Sequence, residues 1–342
     1  MMSKKIPVCM IGAGRIGLKL EFDKKRIKPA THYGMWVKNK RFELKGICDN
    51  QEIEKRYKKK IKKKIIFYKD FKKMILAEKP KVVSISTWKD SHFDITNKCL
   101  DLGVKVIVLE KPLANNINQA KKLVNKIKKK KAKVIVNHRR RFDDDIINLK
   151  KKLENNIIGE IIQISSFYVY GLLTTGTHLI DTLRMLMKNL AGDIVEVSGI
   201  KNIKGNFKPK DDKNYDANLR FKNGLIATIQ NLDMKSYDNF DIHIFGRKGK
   251  ILISGIGRNI LMYKVIQSPE HTGFTELATH PLKLNKSKPR LQFNKLSHNA
   301  LECLSSKKTP LCSAKESYID MVVIEKIIQS AKKKSKFLKI KI

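Results

Sequence analysis

Acidic side chains are in short supply in this 342-residue chain: 32 Asp and Glu stand against 73 Lys and Arg, giving a formal net charge of +41. Cysteine is scarce as well. The five, Cys9, Cys48, Cys99, Cys303 and Cys312, form no Cys-x-x-Cys pair and no His/Cys group with zinc-ligand spacing. That excludes a disulfide-stapled scaffold, leaves no metal site expected and predicts reduced thiols. No apolar run approaches the roughly 18 residues of a membrane span. Lys4 and Lys5 precede an apolar stretch, but Pro7 to Ile11 is too short for a signal sequence. The expectation is a soluble, cytoplasmic protein with no membrane partner. Aromatics make up only 7% of the chain and do not interleave with the lysine runs Lys58 to Lys64, Lys128 to Lys131 and Lys332 to Lys334. A base-stacking platform is therefore missing, and no specific nucleic-acid partner is expected. The lysines read as a solvated surface whose field favours anionic small molecules.

What is present is globular: 42% hydrophobic residues with 18 Gly and 9 Pro, in a chain long enough for two domains. Residues 1–137 alternate short apolar runs with helical patterns. Strands are predicted at Val8–Ile11, Glu43–Cys48, Ile65–Tyr68, Val82–Ser86, Val104–Leu109 and Val134–Asn137. Helices are predicted at Ser91 to Leu102 and Ile117 to Lys130, the second capped by Asn115 or Asn116. This is a doubly wound parallel α/β sheet of the Rossmann type, which binds ligands beyond the carboxyl ends of its strands. From residue 138 to 342 the texture changes. A helical stretch to Asn155 precedes strands at Glu160 to Tyr170, Ile194–Ile200, Asn218–Phe221, Leu225–Leu232, Phe240–Gly246 and Lys250–Ser254, with Asn223-Gly224 as a two-residue hairpin signal. This predicts a second, α+β domain with a large open, mostly antiparallel sheet. A final helix, 313–333, is a candidate to pack back on the first domain.

The strongest motif is Gly12-Ala13-Gly14-Arg15-Ile16-Gly17, following a strand and opening a helix. Gly12 makes the tight turn, Gly14 admits the pyrophosphate to the backbone, and Gly17 lets helix and strand pack closely. Asp49 closes the second strand, where a carboxylate can bind an adenosine ribose and repel a 2′-phosphate. NAD is favoured on that ground, with NADP left open by Lys55 and Arg56. The acidic residue is normally about 20 residues on; here an insertion from Glu21 to Lys40 lengthens the crossover. Glu110-Lys111-Pro112 ends the fifth strand, where a nicotinamide should lie and a lysine can stabilise an oxyanion or donate a proton. Thr87 and His92 have two readings: contacts to ribose and pyrophosphate, or the cap of a helix with a structural histidine.

Together with Gly176-Thr177-His178-Leu179-Ile180-Asp181, these segments resemble the Gfo/Idh/MocA oxidoreductases over nearly the whole chain. The branch most like it is associated with surface-glycan or nucleotide-linked sugars. The resemblance implies hydride transfer between a nicotinamide and a secondary alcohol or ketone of a sugar, polyol or nucleotide-linked sugar. It implies a homo-oligomer, with Gly12, Gly14, Arg15, Ile16, Gly17, Asp49, Thr87, His92, Glu110 and Lys111 at the cofactor. Lys111 and His178 would flank the reacting carbon, His178 taking the hydroxyl proton and Lys111 polarising the carbonyl. Many members carry an aspartate four residues before this histidine; here that position is Thr174, and Asp181 is the alternative carboxylate. Arg139, Arg140, Tyr170 and Thr174 are candidate substrate contacts. Two other classes fit the same residues: an NAD-retaining enzyme that cleaves or eliminates by transient oxidation, and a catalytically silent cofactor- or polyanion-binding protein.

Overall fold

Runs of β-branched residues build the first sheet. The computed structural model describes residues 5–62, 64–204, 212–233, 235–285, 291–305 and 308–341. The chain divides into two units, Met1–Asp143 with Pro289–Tyr318, and Asp144–Lys288 with Ile319–Ile342. In the first, strands β1 (Ile6–Ile11), β2 (Phe42–Cys48), β3 (Ile66–Tyr68), β4 (Val82–Ile85), β5 (Val106–Leu109) and β6 (Lys133–Val136) form a sheet in the order β3-β2-β1-β4-β5-β6. Every pairing is parallel. The order reverses between β1 and β4, which puts the switch point at their carboxyl ends. β4 and β5 are buried at every position, as strands covered on both faces must be.

Helices α1 (His32–Lys38), α2 (Lys55–Lys58), α3 (Phe71–Glu78), α4 (Lys89–Asp101) and α5 (Ile117–Lys129) lie in the connections between the strands. Asn116 is the residue that caps α5, accepting the Gln119 N–H, and Asp70 caps α3 in the same way. The segment after the glycine loop departs from the expected helix. Gly14 to Leu18 makes one turn, closed by Leu18 N–H to Gly14 O at 2.9 Å, and a 3₁₀ turn follows at Lys19–Phe22. The chain then leaves the helix axis and returns at α1, whose His32 and Tyr33 N–H groups bond to the carbonyls of Ile16 and Gly17 at 3.1 and 2.9 Å. One crossover helix is thus built from two pieces, and the excursion is 18–31 rather than Glu21 to Lys40. Glu21 closes it by accepting from Ala30 N–H and Thr31 Oγ1. Without those residues, the spacing from Gly17 to Asp49 returns to the roughly 20 expected.

In the second unit, α6 (Asp144–Glu154) leads to β7 (Ile161–Tyr168), a π-helical turn at Leu172–Gly176, and α7 (Thr177–Met187). Strands β8 (Ile194–Lys201), β9 (Tyr215–Phe221), β10 (Ile226–Asn231), β11 (Phe240–Gly246), β12 (Gly249–Ser254), β13 (Asn259–Gln267), β14 (Thr275–Leu277), β15 (Leu282–Lys283) and β16 (Leu338–Lys339) complete it. The sheet runs β14-β13-β12-β11-β7-β10-β9-β8-β16, with β15 on β13. Only β7 with β10 is parallel among the described pairs of this sheet. Burial alternates along β9, β11 and β12, so one face is core. Ile242, Ile244, Ile251 and Ile253 pack in one cluster with Leu179 and Leu183 of α7 and Leu149 of α6.

The hairpin between β9 and β10 corrects the two-residue expectation. Gly224 N–H bonds to Phe221 O and Phe221 N–H to Leu225 O. The turn is therefore centred on Lys222-Asn223, and Gly224, at φ 95°, is the left-handed residue of a three-residue loop. Two further helices follow, α8 (Gln292–Leu304) and α9 (Ala314–Lys332). α8 belongs to the first unit, where Asn39 Nδ2 donates to Ser297 Oγ at 3.0 Å and the His32 and Phe293 rings meet edge to face. In the second unit α9 is joined to α7 by Arg184 and Asp320, a buried ion pair at 2.6 Å. No helix among the described residues is long and apolar enough to cross a membrane.

Candidate active site

The glycine loop occupies the switch point, and each glycine there answers a different steric demand. Gly12 sits at φ 95°, and a Cβ on it would lie 2.7 Å from the backbone carbon of Ser86. Gly17 is closer still, since its Cβ would meet Gly12 O at 2.3 Å and Ser86 Oγ at 2.7 Å. Ser86 Oγ–H donates to Gly12 O at 2.8 Å, so loop and β4 end are locked together. Gly14 differs: nothing lies within 4 Å of the place its Cβ would take. The loop is closed where it must support itself and open where a pyrophosphate would approach, beside the half-buried Ile16 and the exposed Arg15. The first N–H groups of such a turn have no partner within it and suit an anion.

Asp49 is set against this loop. Its Oδ2 accepts the Ala13 N–H at 2.6 Å and its Oδ1 the Gln51 N–H at 2.9 Å. A carboxylate offers about four lone-pair sites, so two backbone donors leave capacity for ribose hydroxyls. Arg56, one of the two residues that left NADP open, is turned to Glu54 at 2.6 Å and lies over the Tyr57 ring.

Of the two readings of Thr87 and His92, the geometry favours a brace. The His92 ring is 1% exposed, with Nδ1 2.7 Å from Pro112 O and Nε2 3.1 Å from Thr87 O. It ties the end of β4 to the end of β5. Thr87 is half-buried, and its hydroxyl accepts from Ser91 Oγ at 2.7 Å.

Glu110 follows β5, and its carboxylate is held by two side chains. Oε1 meets His32 Nε2 at 2.8 Å and accepts Asn137 Nδ2–H at 2.6 Å, while His32 Nδ1 lies 2.5 Å from Ser84 Oγ. Burial opposes its charge, but the His32 and Asn137 bonds and the neighbouring Lys111 win, holding its pKa below the usual glutamate value. The carboxylate so held fixes the backbone from which half-buried Lys111 extends. Glu110 is expected at the cofactor; its hydrogen-bond partners within the chain are His32 and Asn137. His32 and Asn137 are bracing residues to which the sequence pattern assigns no role. The signal for His32 was local: Thr31 accepts the Gly34 N–H, capping α1 immediately before it.

After β6, Arg139–Phe142 forms a 3₁₀ turn. Arg139 is exposed and Arg140 buried, while Arg141 reaches Leu311 O and Glu316, both at 3.3 Å. In the second unit, half-buried His178 lies in the first turn of α7, and its carbonyl accepts Thr182 Oγ1–H at 2.6 Å. Asp181 is 1% exposed. Thr174 is exposed and its hydroxyl donates to Asp212, a residue no motif had marked. Tyr170 lies beyond the end of β7 at φ 64°, a left-handed conformation costly for a residue with a Cβ, and Asn231 Nδ2–H holds its carbonyl at 2.6 Å. Tyr168 is core, its hydroxyl donating to Tyr215 O.

The glycine turn, the strand-end carboxylate and the switch point define a dinucleotide-binding Rossmann unit. Comparison with known proteins names the family. A model described as "Oxidoreductase family, NAD-binding Rossmann fold" matches residues 6–138, and the "GFO/IDH/MocA C-terminal domain" matches residues 146–252. The chain belongs to the Gfo/Idh/MocA oxidoreductase family. It is 26% identical over 228 residues to the uncharacterized oxidoreductase YhhX of Escherichia coli, covering 61% of this chain and 63% of that protein. It is 24% identical over 263 residues to a myo-inositol 2-dehydrogenase of Thermotoga maritima, covering 72% and 75%. The fold matches that of an aldose-aldose oxidoreductase of Caulobacter crescentus with TM-score 0.77 at 16% identity, over 98% of this chain and 100% of that one.

The steric and acid–base geometry gives three predictions. Gly17→Ala forces backbone apart and is expected to cost about 1–3 kcal/mol in urea unfolding. Gly14→Ala should leave the unfolding midpoint in place and weaken NADH binding at least tenfold, since its methyl group occupies the approach of the pyrophosphate; unaltered NADH affinity would contradict the assignment. Burial, first among its causes, lowers the His92 pKa from 6.5. The unfolded chain then binds the extra proton, so this stabilisation is present above about pH 6.5 and is lost as pH falls through the depressed folded value. Thermal melts taken from about pH 7 down to about pH 5 should show a steeper loss for the wild type than for His92→Gln.

Proposed function

We propose that the protein is an NAD-dependent dehydrogenase of a secondary alcohol in a sugar or polyol, able in reverse to reduce the ketone. The observation that carries this reading is the buried Glu110 carboxylate, held by His32 and Asn137 next to Lys111, at the end of β5 in a sheet whose glycine loop is open at Gly14. The relation to a myo-inositol dehydrogenase supports the substrate class.

Gly12 to Gly17 would hold the pyrophosphate and Asp49 the adenosine ribose. Asp49 repels a 2′-phosphate and Arg56 is committed to Glu54, which favours NAD over NADP. Bound NAD supplies a hydride acceptor at C4 of its nicotinamide. The residues of the chain manage the substrate oxygen. His178 takes the hydroxyl proton as the C–H hydride departs, and the Lys111 ammonium stabilises the oxygen as it becomes a carbonyl. The two electrons leave with the hydride and the proton stays on the imidazole, so the alcohol becomes a ketone. Should the substrate be a surface-glycan or nucleotide-linked sugar, the exposed Arg139 is the side chain suited to its phosphate.

NADH formation with myo-inositol, D-glucose and methyl glucoside tests this. Lys111→Ala and His178→Ala should each lower kcat/KM by about 10²–10⁴, with NADH affinity of the His178 variant unchanged. Either variant retaining wild-type turnover would refute the assigned roles.

A further inference from the structure

Asp212 stands shortly before β9, and its carboxylate is seated at the opening of the helical segment that carries His178. Oδ1 accepts the Leu173 N–H at 2.7 Å, and Oδ2 accepts both the Thr174 N–H at 2.9 Å and the Thr174 hydroxyl at 2.6 Å. Asp212 is 5% exposed, and the approach is so close that a Cβ on Gly171 would fall 2.1 Å from its Cγ. The residues beside it are fixed to the same place. Lys213 O accepts the Leu172 N–H at 3.0 Å, and Asn214 bonds to Asn231, which in turn holds the Tyr170 carbonyl.

A threonine hydroxyl has a single proton to give. Thr174 gives it to Asp212, so toward any further partner Oγ1 is an acceptor. Thr174 is exposed and lies four residues before His178, about one helical turn away along the chain. The turn that carries Thr174 is π-helical, an irregularity frequent at functional sites.

We propose that Asp212 is a positioning residue that fixes Thr174 as an acceptor for a substrate hydroxyl neighbouring the carbon His178 serves. The preferred substrate is then a vicinal diol rather than an isolated alcohol. This rests on the reading of His178 as the proton acceptor. The chain runs from the substrate hydroxyl to Thr174 Oγ1 and from the Thr174 hydroxyl to the Asp212 carboxylate, each bond polarising the next. No bond is broken along it. Its effect is on where the diol sits, and it discriminates against substrates with a hydrogen or methoxy group in place of the neighbouring hydroxyl.

The experiment is steady-state oxidation of myo-inositol, D-glucose and methyl glucoside with NAD by the full chain and its Thr174→Val, Thr174→Ser, Asp212→Asn and His178→Ala variants. Thr174→Val keeps both backbone bonds to Asp212, so it remains a fair test if Asp212→Asn folds poorly. The KM for the polyol should rise about tenfold in Thr174→Val and Asp212→Asn with kcat and the KM for NAD little changed, and Thr174→Ser should restore it. A carboxylate that only caps the helix would lower the melting temperature of Asp212→Asn and leave the KM of Thr174→Val at the wild-type value; that result overturns the inference alone. A His178→Ala variant as active as wild type, or a wild type inactive on every probe, overturns the reading of His178 and the inference with it.

Discussion

A carboxylate removed from water must be hydrogen-bonded or it destabilises the fold by several kcal/mol, and at Glu110 that requirement organises the strand-end surface of the first unit. His32 reaches it from α1, Asn137 from the end of β6, and Ser84 of β4 steadies the far side of the His32 ring. Three elements are thereby tied to the residue immediately before Lys111. The same network explains why the crossover helix can be split. α1 is joined to the glycine turn by hydrogen bonds from His32 and Tyr33 to Ile16 and Gly17, and His32 anchors it to β4 and β5. The excursion at 18–31 lies outside those joints, so it lengthens the chain without moving Gly12 or Asp49 away from each other, as the Ala13 N–H to Asp49 bond shows.

Much of this was legible in the residue pattern. Strands such as Val82–Ile85 and Val106–Leu109 are unbroken apolar or near-apolar runs between Pro and Gly signals, so burial on both faces dictates them. α5 repeats Ala120, Leu123 and Ile127 on one face and opens with a capping Asn116. Where the reading fell short, the determining contact was distant in sequence. Nothing within the chain near Leu18 announces that its helix resumes at His32. α8 buries Leu296, Ser297, Asn299, Ala300 and Cys303, a face whose polar members find partners as far away as Asn39. The Asn-Gly step was recognised as a turn, but its type depends on Phe221 and Leu225 pairing across it.

The same distinction holds for the site. Gly12, Gly14 and Gly17 were legible from their spacing after a strand; the backbone beside Gly12 and Gly17 leaves no room for a Cβ, and Gly14 stands in open space. His92 and Glu110 are recognisable as belonging to the site, and their hydrogen bonds brace the loops that end β4 and β5. Asp212 could not be read at all: its partner Thr174 lies in another segment, and a lone aspartate before a strand has no signature until the fold closes. The excess of lysine adds a general attraction for anions. That attraction is screened by salt, whereas hydrogen bonds from a preformed loop are much less so.

That difference makes a fluorescence titration with NADH and NADPH, at low and moderately high salt, the most direct test of the account. Trp88, exposed just beyond β4, and the fully buried Trp36 are the two tryptophans available as reporters. Saturable binding that survives salt, prefers NADH and weakens about tenfold in Asp49→Asn is the predicted result. Binding abolished by salt for both cofactors, or absent altogether, would show that the glycine turn serves the fold alone.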